Sequence, residues 1–218
     1  SSRFVPCNKF ANFASGAIAW SLSEEEFIKR LNLFSNLKLR FSYGQTGNQA
    51  ISSYQTMESL GTANYPLNGT LTSGFSGQTY KGPLNTSLRW ETTDQFNVGL
   101  DFGFWKNRLN FSANYYYKKT KDLLQNVSIP LSTGYSTMWT NFGHVTNKGF
   151  EFTANVVAID KKDWGLNFDG NISFNQNRIG GLNADQYATQ LWYGANEVFL
   201  QRNGLPIGTI YGLSLIHI

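Results

Sequence analysis

The chain has 218 residues, 41% hydrophobic and 16% aromatic, with a formal net charge of +4 and a mean hydropathy of -0.32. No run approaches the roughly 18 apolar residues of a membrane-crossing helix. The basic residues are scattered; the clusters Lys118-Lys119-Thr120-Lys121 and Lys161-Lys162 read as strand ends and turns, not as a nucleic-acid face.

The counts of Gly 21, Trp 6, Tyr 11 and Phe 17 beside Met 2 and Cys 1 favour strands and turns over helices. The lone Cys7 excludes an internal disulfide and, with no His or Asp near it, reads as a bystander thiol. The first residues, Ser1 to Pro6, lack the basic start and apolar core of a signal peptide, and the chain reads as a piece of something longer.

Residues 9–20 form a weakly alternating strand ending on Trp20. Ser23 and Glu26 have capping-box spacing, and Phe27, Ile28, Leu31 and Phe34 follow at roughly helical intervals, which predicts a short helix over 24–32. The three glutamates there suit a helix N-terminus better than an acid–base site. Leu37, Leu39, Phe41 and Tyr43 alternate with Lys38, Arg40 and Ser42 in a second strand. The following Gly44-Gln-Thr-Gly47-Asn48 lacks the Gly-Lys-Ser/Thr ending of a phosphate loop. Residues 45–88 read as one long Gly/Ser/Thr/Asn-rich loop.

The clearest pattern spans 95–117. Phe96, Val98, Leu100, Phe102 and Phe104 alternate with Gln95, Asn97, Gly99, Asp101 and Gly103. Leu109, Phe111, Ala113, Tyr115 and Tyr117 repeat the pattern against Asn110, Ser112 and Asn114. Lys106-Asn107 between them predicts a tight hairpin turn, with Asn suited to a positive φ. At a tilt near 45° each residue climbs roughly 2.4 Å, so Leu109 to Tyr117 climbs about 19 Å of a roughly 25 Å apolar band. Phe104 and Trp105 at one end and Tyr115 to Tyr117 at the other sit where aromatic girdles occur.

Residues 118–142 read as a second long loop. Phe150 to Ala158 form a fifth strand, Asp160-Lys-Lys-Asp163 a turn, and Trp164 to Phe174 a sixth; beyond Asn175 the pattern dissolves. The links at 106–107 and 160–163 are short, whereas 45–88, 118–142 and the segment after 175 are long. Outer-membrane barrels have this asymmetry of short periplasmic turns and long extracellular loops. A soluble carbohydrate-binding β-sandwich also alternates, but it explains the ten-residue strands and the uneven links poorly.

Catalytic chemistry has no foothold. His144 and His217 are too far apart for a histidine metal site, no Gly-x-Ser-x-Gly elbow occurs, and Glu91, Asp94 and Asp101 carry no glycosidase signature. Asn68-Gly-Thr70 and Asn171-Ile-Ser173 fit the glycosylation sequon.

Several stretches, taken in order, resemble the C-terminal barrel part of SusC/RagA-like TonB-linked (TonB-dependent) outer-membrane transporters. They are Leu37-Lys-Leu-Arg-Phe-Ser-Tyr-Gly-Gln-Thr-Gly-Asn48, Leu88-Arg-Trp-Glu-Thr-Thr-Asp-Gln-Phe-Asn-Val-Gly-Leu100, Tyr115-Tyr-Tyr-Lys-Lys-Thr-Lys-Asp-Leu-Leu124, Asn147-Lys-Gly-Phe-Glu151 and Gly204-Leu-Pro-Ile-Gly-Thr-Ile-Tyr-Gly212. The resemblance implies an all-β fold: about six or more strands of a 22-stranded transmembrane antiparallel barrel, with long extracellular loops and one short periplasmic helix. Residues 1–212 would belong to the barrel, 213–218 to a non-native tail, and the plug domain and signal peptide would lie outside this piece.

The implied setting is the Gram-negative outer membrane, as a multi-pass β-barrel. The implied activity is import of glycans, oligosaccharides or peptides, with a SusD-like surface lipoprotein as lid and TonB engaging the missing N-terminal part. A plug distinguishes this from a passive porin. No enzyme activity, cofactor or metal is expected, and the sequence assigns no substrate-binding residue. Tyr54, Tyr65, Tyr135 and Trp139 can stack on sugar rings, although packing within their own loops is the simpler expectation for each.

Overall fold

The computed structural model describes residues 3–4, 6–49, 51–53, 63–67, 70–74, 85–133, 137–182, 186–188 and 199–210. In chain order these form β1 (Ser15–Ser21), α1 (Glu26–Lys29), β2 (Phe34–Asn48), β3 (Ala63–Leu67), β4 (Thr70–Gly74), β5 (Glu91–Phe104) and β6 (Leu109–Lys121). They continue with β7 (Leu124–Ser128), β8 (Thr137–Asn141), β9 (His144–Asp160), β10 (Gly165–Gly180), β11 (Gln186–Ala188), β12 (Phe199–Gln201) and β13 (Thr209–Ile210). Residues 13–46, 93–120 and 143–218 make one compact unit; residues 1–12, 47–92 and 121–142 make another.

The six strands expected from alternation are the six strands of one sheet, in the order β1-β2-β5-β6-β9-β10. The end pairs are antiparallel: Trp20 faces Leu39 and Ile18 faces Phe41, while Phe152 faces Ile172 and Phe150 faces Phe174. β1, expected over 9–20, is confined to Ser15–Ser21, whereas the other five strands exceed their alternating cores. β2, β5, β6, β9 and β10 have 15, 14, 13, 17 and 16 residues. Polar residues lengthen them: Gly44 to Asn48, expected at the start of a loop, continues β2, and Asn175 to Gly180 continues β10. Backbone pairing does not need an apolar side chain, so the ladder outlasts the hydrophobic pattern. Ala158 has no opposite number on β10, because Leu166 pairs with Ile159 and Asn167 with Val157; this bulge shifts the register next to the turn.

Three local expectations are corrected. The hairpin turn is not the two residues Lys106-Asn107 but four, Trp105 to Arg108, with φ of 50°, 55° and 62° at Trp105, Lys106 and Asn107. Left-handed backbone at the tip matches the twist of the flanking strands, and that twist outweighs the reluctance of Trp and Lys to adopt it. The helix over 24–32 shrinks to the four residues of α1, preceded by a 3-10 turn at Leu22–Glu24. Ser23 lies inside that turn and Glu25 takes the N-cap position without a side-chain cap, so the capping box is not made. The glutamates have other partners. Glu24 meets Lys29 at 2.8 Å, and Trp20 Nε1 donates to Glu25 Oε1 at 3.0 Å. The Lys29 hydrogen bond, aided by its charge, holds the Glu24 carboxyl below the usual range. Finally, neither 45–88 nor 118–142 is one loop: β2 runs to Asn48 and β3 and β4 pair from Ala63 with Gly74 to Leu67 with Thr70, while β6 runs to Lys121 and β7 and β8 pair from Leu124 with Asn141 to Ser128 with Thr137.

The two faces of the long sheet are unlike. Ile18, Phe41, Phe96, Phe150, Phe168, Ile172 and Phe174 all stand exposed, from 41% at Phe41 to 73% at Ile18. Half exposing these side chains in water forfeits on the order of 5–10 kcal/mol, comparable with the whole net stability of a domain, about 5–15 kcal/mol. A sandwich would lay a second sheet over them, and among the described residues they have no such cover. On the other face Gly99, Gly103 and Gly149 are buried beneath neighbouring side chains. A Cβ on Gly149 would sit 2.5 Å from Tyr116 Oη and 2.7 Å from the Phe174 carbonyl.

Three outcomes are expected. Gly149→Ala lowers the stability of the full-length parent protein in detergent micelles by about 1–3 kcal/mol in urea unfolding, because the clash includes backbone. Lys106→Gly raises stability by about 1 kcal/mol in the same assay, by relieving the left-handed turn. The isolated chain aggregates in water and forms no closed pore in a bilayer, since its open edges and bare apolar face are both unsatisfied; a monodisperse folded monomer in light scattering would contradict the wall assignment.

Candidate functional site

The polar face of the sheet is built by the positions that alternate with the apolar ones. At its centre Arg40 on β2 reaches across β5 to β6. Its Nε donates to Asp101 Oδ2 at 2.7 Å and its Nη2 to Asp101 Oδ1 and to Asn114 Oδ1, both at 2.9 Å. Ser112 Oγ donates to Asp101 Oδ1 at 2.7 Å, and Asn114 Nδ2 to Ser112 Oγ at 3.3 Å. Gly99 makes room: a Cβ there would meet Arg40 Nη2 at 2.9 Å and Asn114 Oδ1 at 2.7 Å. Asn97 Nδ2 donates to Ser42 Oγ at 3.1 Å, and Asn155 Nδ2 to Asp169 Oδ1 at 2.5 Å, so the pattern extends across the sheet. Bidentate Arg–carboxylate geometry fixes orientation as well as adding energy, so this network locks the register of three strands.

The apolar face has a boundary. Asp94 shares its parity with Phe96 to Phe104, and it accepts from Gln45 Nε2 at 2.8 Å and from Tyr43 Oη at 3.3 Å. Ten steps from Asp94 to Phe104, at roughly 2.4 Å each, span about 24 Å, the height of an outer-membrane barrel's apolar band. Trp105, 72% exposed, lies just beyond the other end.

The three carboxylates considered for glycosidase chemistry are not brought together. Asp94 and Asp101 are seven residues apart on one strand and so face opposite ways. Glu91 accepts from Asn48 Nδ2 and from the Leu124 amide, both at 3.4 Å. Among the described residues no group of three His, Cys, Asp or Glu is placed to hold a metal. His144 lies against Gly180 and Gly181, Cys7 is a free exposed thiol, and His217 falls outside the described residues.

The unit of residues 1–12, 47–92 and 121–142 has its own small core. Phe4, Ile51 and Leu88 are buried, with Trp90, Leu124 and Trp139 packed against them, and Phe4 stacks on Trp90 at 5.8 Å. Asn141 ties Arg89 and Asp122 by its amide, and the Trp139 carbonyl accepts from Asn85 Nδ2 at 3.0 Å. Trp139 therefore serves its own loop. Tyr54, Tyr135 and residues 213–218 lie outside the described residues, as does the side chain of Tyr65 on β3. A cleft of about 720 Å³ opens in this unit, lined by Arg3, Lys9, Phe10, Gly47, Gln49 and Trp90 among others. Sequence reading passed over it and over Arg40. The cleft collects residues from three distant segments, whereas Arg40 had a visible signal: a cation at a polar-face position of an alternating strand.

Comparison with known proteins fits this geometry. Residues 8–207 match the family described as TonB dependent receptor-like, beta-barrel. The chain is 37% identical over 213 residues to TonB-dependent receptor P26 of Formosa agariphila, covering 96% of this chain and 21% of that protein. It is 34% identical over 242 residues to TonB-dependent receptor SusC of Bacteroides thetaiotaomicron, covering 97% and 24%. The RagAB peptide importer in its open-open state superposes with a TM-score of 0.77 at 28% identity, over 94% of this chain and 21% of that one. The chain thus spans about a fifth to a quarter of the proteins it matches. An outward apolar face of membrane height, an inward polar network and a family match over nearly the whole length assign the chain to the TonB-dependent receptors, as a SusC/RagA-like segment of their outer-membrane β-barrel wall.

Proposed function

We propose that this chain supplies wall strands and outward loops to an active importer of glycans, oligosaccharides or peptides, energised through TonB and lidded by a SusD-like surface lipoprotein. The observation that carries the reading is the inverted sheet: a bare apolar face and a polar face whose groups bind one another. Such a sheet is a channel wall, not a catalytic platform. The likeness to a peptide transporter supports the peptide class among these. The cleft beside Lys9 and Phe10 offers a cation and an exposed aromatic ring to a solute. The lid partner and the 1–212 and 213–218 boundaries belong to this same reading.

The test uses the full-length parent transporter. Labelled oligosaccharide or peptide enters cells that carry it, entry stops when TonB is deleted, and a surface lipoprotein co-purifies with the barrel. Entry that is indifferent to TonB would make it a passive pore. Asp101→Asn is expected to leave uptake within about twofold while lowering barrel stability by about 1 kcal/mol, the partly exposed Arg40 pair being screened. Lost uptake in a fully folded Asp101→Asn barrel would give the carboxylate a direct part in transport.

A further inference from the structure

The two short turns set exposed tryptophans beside cations. Trp105, at 72% exposure, is followed by Lys106 and Arg108; Trp164, at 76%, is preceded by Lys161 and Lys162. All four cations are exposed, and none lies within 4.0 Å of a carboxylate among the described residues. The turns are neighbours, since the Val157 amide donates to the Arg108 carbonyl at 2.7 Å.

Carboxylates are unevenly spread here. Asp160 and Asp163 flank Lys161 and Lys162, whereas residues 102–110 contain none. In the third connection Glu24 is taken by Lys29, Glu26 lies 3.9 Å from Arg30, and Glu25 holds Trp20. The excess positive charge is thus at Lys106 and Arg108.

Next to that charge lies an unbroken aromatic surface. Phe34 and Phe104 are 5.1 Å apart, Phe102 and Phe111 5.3 Å, and Phe111 and Phe152 5.7 Å, across four strands. Hydrocarbon-facing rings, then indoles, then cations is the order of groups met on passing from a lipid's acyl chains to its phosphate.

We infer that the turn end of this sheet docks anionic glycerophospholipid, with Lys106 and Arg108 on the headgroup phosphate, Trp105 and Trp164 at headgroup level and the acyl chains over Phe102, Phe104 and Phe111. Short turns of outer-membrane barrels face the periplasm, where the leaflet is glycerophospholipid. The inference rests on the barrel assignment and not on what is imported.

Native mass spectrometry of the full-length parent transporter, from micelles holding equimolar phosphatidylglycerol and phosphatidylethanolamine, tests it. The wild-type barrel retains phosphatidylglycerol in excess. K106Q/R108Q lowers the ratio of the two lipids by roughly fivefold per cation removed, and K106R/R108K preserves it. D160N/D163N raises it, which keeps a readout if the first variant fails to fold. Equal retention of the two lipids by wild type, an unchanged ratio in K106Q/R108Q, or no rise in D160N/D163N overturns the inference.

Discussion

A backbone amide in hydrocarbon has no water to turn to, and that constraint shapes this chain. Each long strand must find its hydrogen bonds in the strand beside it, which dictates long paired strands and short turns. The constraint also explains why side chains can be sorted so sharply. Once the backbone is satisfied by pairing, one face is free to be apolar toward lipid and the other polar. Register is then the quantity to protect, because a slip of one residue would turn Asp101 and Arg40 outward and Phe102 inward. The Arg40–Asp101–Ser112–Asn114 network and the fit of Tyr116 over Gly149 both act on register.

The wall was legible in the sequence because its period is two and its apolar residues are large. Phe96 to Phe104 and Leu109 to Tyr117 needed no tertiary information to be read as a hairpin. The strand ends were less legible: Gly44 to Asn48 and Asn175 to Gly180 lack apolar marks, and pairing alone keeps them extended. The turn at Trp105 misled for a different reason. Residue preference points to Asn107, but strand twist recruits Trp105 and Lys106 into left-handed backbone as well. Ser23 and Glu26 have capping spacing, yet Trp20 and Lys29 claim the neighbouring glutamates, and only α1 remains.

The loop unit was the least legible part. Its core joins Phe4, Ile51 and Leu88, and its ties join Asn8 to Leu88 and Asn141 to Arg89. Contacts across 40 to 80 residues leave no periodic trace. Glu91, which invites a catalytic reading in isolation, caps the Leu124 amide, and that is visible only with both segments in place. Trp139 is similar: an aromatic suited to a sugar ring is occupied by its own hairpin and the buried side chains beneath it.

The polar face has one further consequence. At its centre, carboxylate, guanidinium, hydroxyl and amide groups are committed to one another, Asp101 to Arg40 and Ser112 and Asn97 to Ser42, with Asn155 and Asp169 bonded beyond them. A solute passing such a surface would have to break an existing bond for each one it made, and would gain little by stopping. That part of the wall is therefore a low-friction surface, wet but not adhesive. Under the importer reading proposed above, discrimination among solutes falls to groups outside this network.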